Sequence, residues 1–204
     1  PHDLQPSPSS VFMLIRPFLF QAYYIPSPSM ETTLLGHNAG ENGYTDSASD
    51  HIFANKLIYR YSDPEYKDIV VFRAPKEADK ESISLGKPPK ENNLIKRVIG
   101  KPGDTIQVKD VETVINGEHT LQAKVFRNGK ALDEPYIREP MTAFQHTDFA
   151  TEAPLKLGAN EYFMMGDNRN MSSDSRYWGV VTRDRIIAKA SIIFMPFQRF
   201  GRLH

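Results

Sequence analysis

The chain of 204 residues contains no cysteine. That removes disulfide scaffolds, Cys-based zinc sites, iron–sulfur ligation and a thiol nucleophile together. It carries no excess of charge, since 25 Lys+Arg balance 25 Asp+Glu, whereas a general nucleic-acid binder would show a basic surplus. No apolar run approaches the ~18 residues that a membrane helix needs. The longest near the N-terminus, Val11 to Phe20, is broken by Arg16 and Pro17. The six histidines show no metal-ligand spacing, and His51 beside Asp50 reads as a solvated side chain. The motifs H-E-x-x-H and G-x-S-x-G and a phosphate-cradling glycine loop are also missing. Neither a metal, a cofactor nor a nucleic-acid partner is expected.

What is present reads as strand and turn. The 15 prolines exceed the average usage of about 5% and favour short strands and loops. Residues 51–60, 68–73, 94–99, 161–165 and 186–195 are apolar, β-branched runs bounded by turn formers. Asn116-Gly117 and Asn128-Gly129 each lie between β-compatible segments, a strong short-range hairpin signal. Polar insertions at 36–50 and 75–93, the second holding Lys87-Pro88-Pro89-Lys90, are expected as exposed loops. The fold class is therefore mainly β with few helices, with a core split around a smaller inserted β subdomain. Residues 1–17 are expected to be disordered or a membrane-proximal remnant, 18–104 the first part of the core, 105–158 the inserted hairpin subdomain, and 159–204 the second part. The stretch VFMLIRPFLFQAYYI reads as a core helix turn and strand, or as the exit of a membrane anchor.

Three segments carry candidate chemistry. In Ile25-Pro26-Ser27-Pro28-Ser29-Met30, two prolines hold φ near −65°. A hydroxyl on such a frame loses little entropy on presentation, although alone the segment is equally a Ser/Pro-rich turn. In Leu94-Ile95-Lys96-Arg97-Val98, strand alternation puts Lys96 on the face of Leu94 and Val98. A lysine desolvated there has a lowered pKa and can take a proton; snorkelling to solvent is the other reading. Lys56, between Ala54 and Ile58, is a weaker rival. In Gly166-Asp167-Asn168-Arg169-Asn170-Met171-Ser172-Ser173-Asp174-Ser175-Arg176, the Asn, Asp and Ser side chains favour local backbone bonds and an ordered polar loop. Serine nucleophiles need a base, and a buried neutral lysine can replace the usual histidine.

In order and spacing these segments resemble the bacterial type I signal peptidases: IPSPSM, DIVVF (68–72), LIKRVIGKPGD and GDNRNMSSDSRYWG are similar to that family's boxes, and the likeness runs from about Phe18 to Pro196. It implies an antiparallel-sheet catalytic core and an endopeptidase that removes signal peptides from exported preproteins after small residues at −1 and −3. It implies Ser29 as nucleophile, Lys96 as general base, Ser27 as an oxyanion-hole donor beside the Ser29 N–H, and Ser172 as the serine that orients the lysine. Asp174 and Arg176 match a structural ion pair, with Arg97 and Asp167 as another. Tyr23, Ile25, Met30, Leu34, Val71 and Ile95 fall where the family lines its shallow substrate pockets. Pro28 stands where most members carry Gly and Thr32 where they carry Pro, which affects the geometry of the turn more than its chemistry. By the same resemblance the site lies at the outer face of the plasma membrane, the membrane helix expected before Phe18 being absent from the chain. The basic residues Arg183, Arg185, Lys189, Arg199 and Arg202, against the single acid Asp184, read as an ordinary solvated face or as a contact with anionic lipid. A self-cleaving Ser/Lys protease of the repressor type and a non-catalytic β-rich binding domain are the alternatives. The only internal Ala-Gly bond, Ala39-Gly40, lies just after Ser29 rather than upstream.

Overall fold

Short β-branched runs separated by turn formers produce antiparallel sheets, as seen in a computed structural model that describes residues 19–79, 92–115, 118–143, 148–150 and 153–204. In chain order the strands are β1 (Phe20–Tyr24), β2 (Gly36–His37), β3 (Ala48–Ser49), β4 (His51–Asn55), β5 (Ile69–Arg73), β6 (Asn93–Gly100), β7 (Thr105–Ile115) and β8 (Glu118–Arg127). They continue as β9 (Lys130–Ala131), β10 (Met141–Thr142), β11 (Leu155–Lys156), β12 (Glu161–Met165), β13 (Val181–Thr182), β14 (Ile186–Met195) and β15 (Gly201–Arg202). Two single-turn helices, α1 (Ile58–Tyr61) and α2 (Ser175–Trp178), join them.

The main sheet has eight strands in the order β1-β4-β14-β5-β6-β12-β13, with β15 added beside β14. Its centre is covered on both faces, which is why Ile69, Val70, Val71 and Phe72 form an unbroken apolar run and are all buried. Alternation divides them. Val70 and Phe72 join Val98, Tyr162, Met164 and Trp178 in one cluster. Ile69 joins Ile25, Met30, Leu34, Ile52 and Ile193 in another. The second sheet, in the order β10-β8-β7-β11 with β9 beside β8, is drawn from the inserted stretch. Its buried side chains share one cluster with the main sheet: Ile106, Val108 and Val125 pack with Ile99 of β6 and with Phe163 and Met165 of β12.

At Asn128-Gly129 the chain reverses between paired strands. Asn128 and Gly129 have φ of 52° and 78°, the left-handed pair that a two-residue hairpin requires, and Arg127 pairs with Lys130 across them. β7 and β8 pair out to Ile115 and Glu118; the other Asn-Gly pair, 116–117, lies outside the described residues, as do 1–18 and 80–91 with the Lys-Pro-Pro-Lys run. No helix among the described residues is long and apolar enough to cross a membrane.

Three expectations are corrected. The run 51–60 is not one strand: Asn55 Oδ1 accepts the N–H groups of Leu57 (2.8 Å) and Ile58 (3.3 Å), ending β4 and starting α1. The polar stretch 36–50 is not simply exposed, because β2 and β3 pair within it and His37 and Asp50 are buried. The basic C-terminal residues are not a free cationic face. Arg183 pairs with Asp63, Lys189 with Asp68 and Arg199 with Asp50, at 2.8, 2.5 and 2.9 Å, while Arg185 donates to the Ala74 carbonyl at 2.9 Å.

Candidate active site

Pro28 opens a three-residue 3-10 turn, Pro28–Met30, on which Ser29 sits. β6 carries Lys96 directly opposite Val70 of β5. The polar loop begins where β12, the other neighbour of β6, ends. The three candidate segments therefore converge. Lys96 Nζ lies 2.7 Å from Ser29 Oγ, and both residues are buried, at 4% and 7% exposure. Ser27, which stays exposed, places its hydroxyl 3.3 Å from that of Ser29.

The surroundings decide the state of the lysine. Burial disfavours the ammonium and is the largest influence on it; Asp174 and Asp167 pull the other way, and Arg176 reinforces burial, so that the pKa falls to about 8. Both carboxylates are already committed. Arg97 grips Asp167 through Nε and Nη2 at 2.9 and 2.7 Å, and its guanidinium lies 4.1 Å from the Tyr136 ring centroid. Arg176 grips Asp174 through Nε and Nη2 at 2.8 and 2.9 Å, with both side chains fully buried. Burial pushes the Asp174 carboxyl up, but the Arg176 charge and hydrogen bonds, with the Gly166 N–H, bring it below the ordinary value.

The loop also holds the turn by its backbone. The Asn168 N–H donates to the Ser29 carbonyl at 3.2 Å and its Nδ2 donates to the Pro28 carbonyl at 3.1 Å. Thr33 Oγ1 donates to Asp167 Oδ2 at 2.6 Å. Gly166 makes this closeness possible, since a Cβ there would stand 2.3 Å from both the Ser29 carbonyl oxygen and Ser172 Oγ. Asn168 and Thr33 did not stand out in the sequence, because their work is to bond the backbone and a carboxylate of distant segments.

Two site expectations change. Ser172 Oγ is buried but makes no hydrogen bond to Lys96; it lies beside the Asp174 carboxylate, and its own carbonyl accepts from Arg176 Nη2 at 3.3 Å. Met30 and Leu34, expected as pocket wall, have 0% exposure and belong to the core beneath the turn. Ile25 and Val71 are almost as closed. Tyr23 and Ile95, only partly buried, pack against that cluster and against Ala54, Val71 and Ala188, and they are the two of the six that still offer surface.

Gly166→Ala must push either the Ser29 carbonyl or Ser172 aside. It is expected to cost about 1–3 kcal/mol of stability, measured by urea unfolding; a variant as stable as the parent would contradict the close packing. Lys96→Met tests the burial of the ammonium. The pKa of Lys96 is lower in the folded than in the unfolded chain, so the folded state binds fewer protons between about pH 8 and 10.5 and stability rises with pH there. The charged form costs about 3 kcal/mol below that window. Lys96→Met should therefore stabilise the chain more at pH 7 than at pH 11, and an equal effect at both would show that Lys96 is not depressed.

The sequence model of the family described as "Signal peptidase, peptidase S26" matches residues 8–195. A probable signal peptidase I-2 of Synechocystis sp. is 37% identical over 93% of this chain and 69% of its own length. A signal peptidase I of Leptolyngbya laminosa is 36% identical over 93% and 75%, and signal peptidase I T of Bacillus subtilis is 32% identical over 91% and 79%. A solved signal peptidase I from Enterococcus faecalis V583 superposes with a TM-score of 0.41 at 24% identity, over 64% of this chain and 98% of that one, a likeness too loose to add to the sequence match. With a family match that spans the main sheet and the polar loop alike, the chain belongs to the signal peptidase family, peptidase S26.

Proposed function

We propose that the protein is a serine endopeptidase that cuts signal peptides from preproteins after small residues, the A-x-A pattern, with Ser29 as nucleophile and Lys96 as general base. The observation that carries this reading is the 2.7 Å approach of Lys96 Nζ to Ser29 Oγ in a site where burial lowers the lysine pKa to about 8. Neutral Lys96 takes the Ser29 proton as Oγ attacks the carbonyl carbon of the −1 residue. The oxyanion is held by Ser27 Oγ and the Ser29 N–H, donors of the kind whose removal costs about 10²–10³ in rate. The C–N bond then breaks, and the Lys96 ammonium returns its proton to the leaving amine. Lys96, neutral again, deprotonates a water that releases the acyl-enzyme. Arg97–Asp167 and Asp174–Arg176 hold the loop and the lysine in place, and Ser172 supports the lysine by filling the space beside Asp174. Tyr23 and Ile95 line the substrate surface, backed by the enclosed core of Ile25, Met30, Leu34 and Val71.

The substrate's apolar segment sits in a bilayer, so the catalytic domain is placed on the outer face of the plasma membrane, touching lipid. Supporting this is an aromatic outer surface. Tyr24 meets His51 edge-on, His51 meets Phe194, and Phe194 stacks on Phe53 at 4.2 Å. Phe20, Tyr24, Met195, Phe197 and Phe200 are exposed, and large apolar side chains on a surface favour a membrane interface. Because the basic residues nearby are largely paired, apolar insertion carries this contact rather than charge.

Ser29→Ala and Lys96→Ala should each lower kcat on a signal-peptide substrate by about 10³-fold or more while remaining folded, and Ser29 in the parent should be labelled by an acylating serine-directed inhibitor. The rate should climb with pH through about 8 as Lys96 loses its proton, then level off. Near-parental turnover in either variant, or a profile flat between about pH 6.5 and 9, would sink the assignment. Phospholipid vesicles should bind the chain with little dependence on salt, and Phe197→Ser with Phe200→Ser should release it; no binding at any salt would remove the membrane contact.

A further inference from the structure

Two residues beyond Ser29, Glu31 has 2% exposure and carries a carboxylate that the mechanism above does not use. Its backbone N–H donates to the Pro28 carbonyl at 3.1 Å, capping the turn. Its side chain is surrounded. Oε1 accepts the Gly36 N–H at 3.3 Å and lies 2.5 Å from His37 Nδ1. Oε2 accepts from the Tyr44 hydroxyl and from Arg138 Nη1, the latter at 3.0 Å. The Tyr44 ring stacks on His37 with centroids 3.9 Å apart, and Arg138 Nη1 also donates to the Tyr44 hydroxyl. His37 Nε2 faces Asp46 Oδ1 at 3.6 Å.

Burying a carboxylate is costly unless its oxygens are satisfied, and here three separate parts of the chain converge to satisfy them. Burial raises the Glu31 pKa, but the hydrogen bonds of Tyr44, His37 and Gly36 outweigh it and the net shift is downward, so the group stays charged at neutral pH. Arg138 has a second attachment: its backbone N–H donates to the Asp167 carbonyl at 3.2 Å. Four residues earlier, Glu134 pairs with Arg169 at 2.5 Å. The segment leaving the small sheet thus grips the polar loop on one side of Ser29 and Glu31 on the other. A three-residue 3-10 turn has little stability of its own, so what clamps its ends sets where its hydroxyl points.

We propose that Glu31 is a positioning residue for Ser29, held by Arg138: the buried carboxylate that collects the Gly36 N–H, His37, Tyr44 and Arg138 lies two residues past the hydroxyl that must meet Lys96. This rests on the reading of Ser29 as nucleophile. The inserted sheet then serves catalysis by supplying Arg138, in addition to packing against β6 and β12. A misplacement of about 1 Å in a reacting group can cost about 10²-fold in rate, which sets the scale of the effect.

The test is turnover of a signal-peptide substrate per competent site, with sites counted by stoichiometric acylation. Glu31→Ala, Glu31→Gln, Arg138→Ala and the double Ala variant are measured beside the parent and Ser29→Ala. Glu31→Ala should lower kcat per titrated site about 10–100-fold with KM within about twofold, and Glu31→Gln, which keeps the shape, should fall between it and the parent. The double variant should be no worse than Glu31→Ala, because the two act as one unit, and the pH at which the rate levels off should not move. Three results would overturn the proposal: an unchanged kcat per titrated site with merely fewer competent sites, losses that add in the double variant, or a shifted pH limb, which would place Glu31's influence on Lys96 instead. If Ser29→Ala keeps turnover or the parent is not acylated, the reading of Ser29 fails, an outcome separate from any result at Glu31.

Discussion

The site depends on an unpaired lysine kept out of water. Lys96 stands in the middle of a central strand, and a buried ammonium normally finds a carboxylate. Two are near enough to raise its pKa, Asp174 and Asp167, yet each is held in bidentate fashion by an arginine. Burial outweighs both carboxylates, and the Arg176 guanidinium adds to it. Arginine suits this work because its fork matches a carboxylate and it keeps its proton when buried. The buried ion pairs are weak evidence for added stability; what they do visibly is withhold a counter-ion from Lys96 while fastening the loop around it.

The opposite partner, the turn carrying Ser29, is held almost entirely by other segments. Asn168 holds its carbonyls, Thr33 reaches Asp167, and Asp50 receives the Leu35 N–H at 2.8 Å. Arg199, itself paired with Asp50, donates to the Thr33 carbonyl at 3.0 Å. Gly36 leaves room for the Ser27 backbone, which a Cβ at that position would meet at 2.5 Å. The contacts from Asn168, Asp167 and Arg199 join the nucleophile segment to parts of the chain distant in sequence, so the geometry of Ser29 depends on the tertiary structure around it. Local energies in such a network do not add.

Much of the fold was legible because it rests on local rules. The apolar, β-branched runs at 68–73 and 94–99, bounded by turn formers, marked β5 and β6, and Asn128-Gly129 marked a hairpin because left-handed φ at two successive residues suits few others. The same rules misread 51–60, where one asparagine side chain turned a strand into α1. They also misread the C-terminal arginines and lysine, whose partners Asp63, Asp68 and Asp50 are remote in sequence. The alternation argument placed Lys96 beside Leu94 and Val98, and the structure buries it there. It could not show that Met30 and Leu34 are wholly enclosed, since enclosure depends on Ile52, Ile69 and Ile193 closing over them.

By itself the sequence determined the chemical inventory: no thiol, a proline-framed serine pair, a lysine on the apolar side of a strand, and a polar loop rich in backbone-bonding side chains. It also determined the β class, because period-two alternation and turn residues act over a few positions. Only the tertiary structure decided that Lys96 has no carboxylate to itself, that Ser172 lies beside Asp174 instead of bonding the lysine, and that Glu31 is buried at the meeting of three segments. Those outcomes turn on distances between residues far apart in the chain, and on burial, which a linear pattern does not carry.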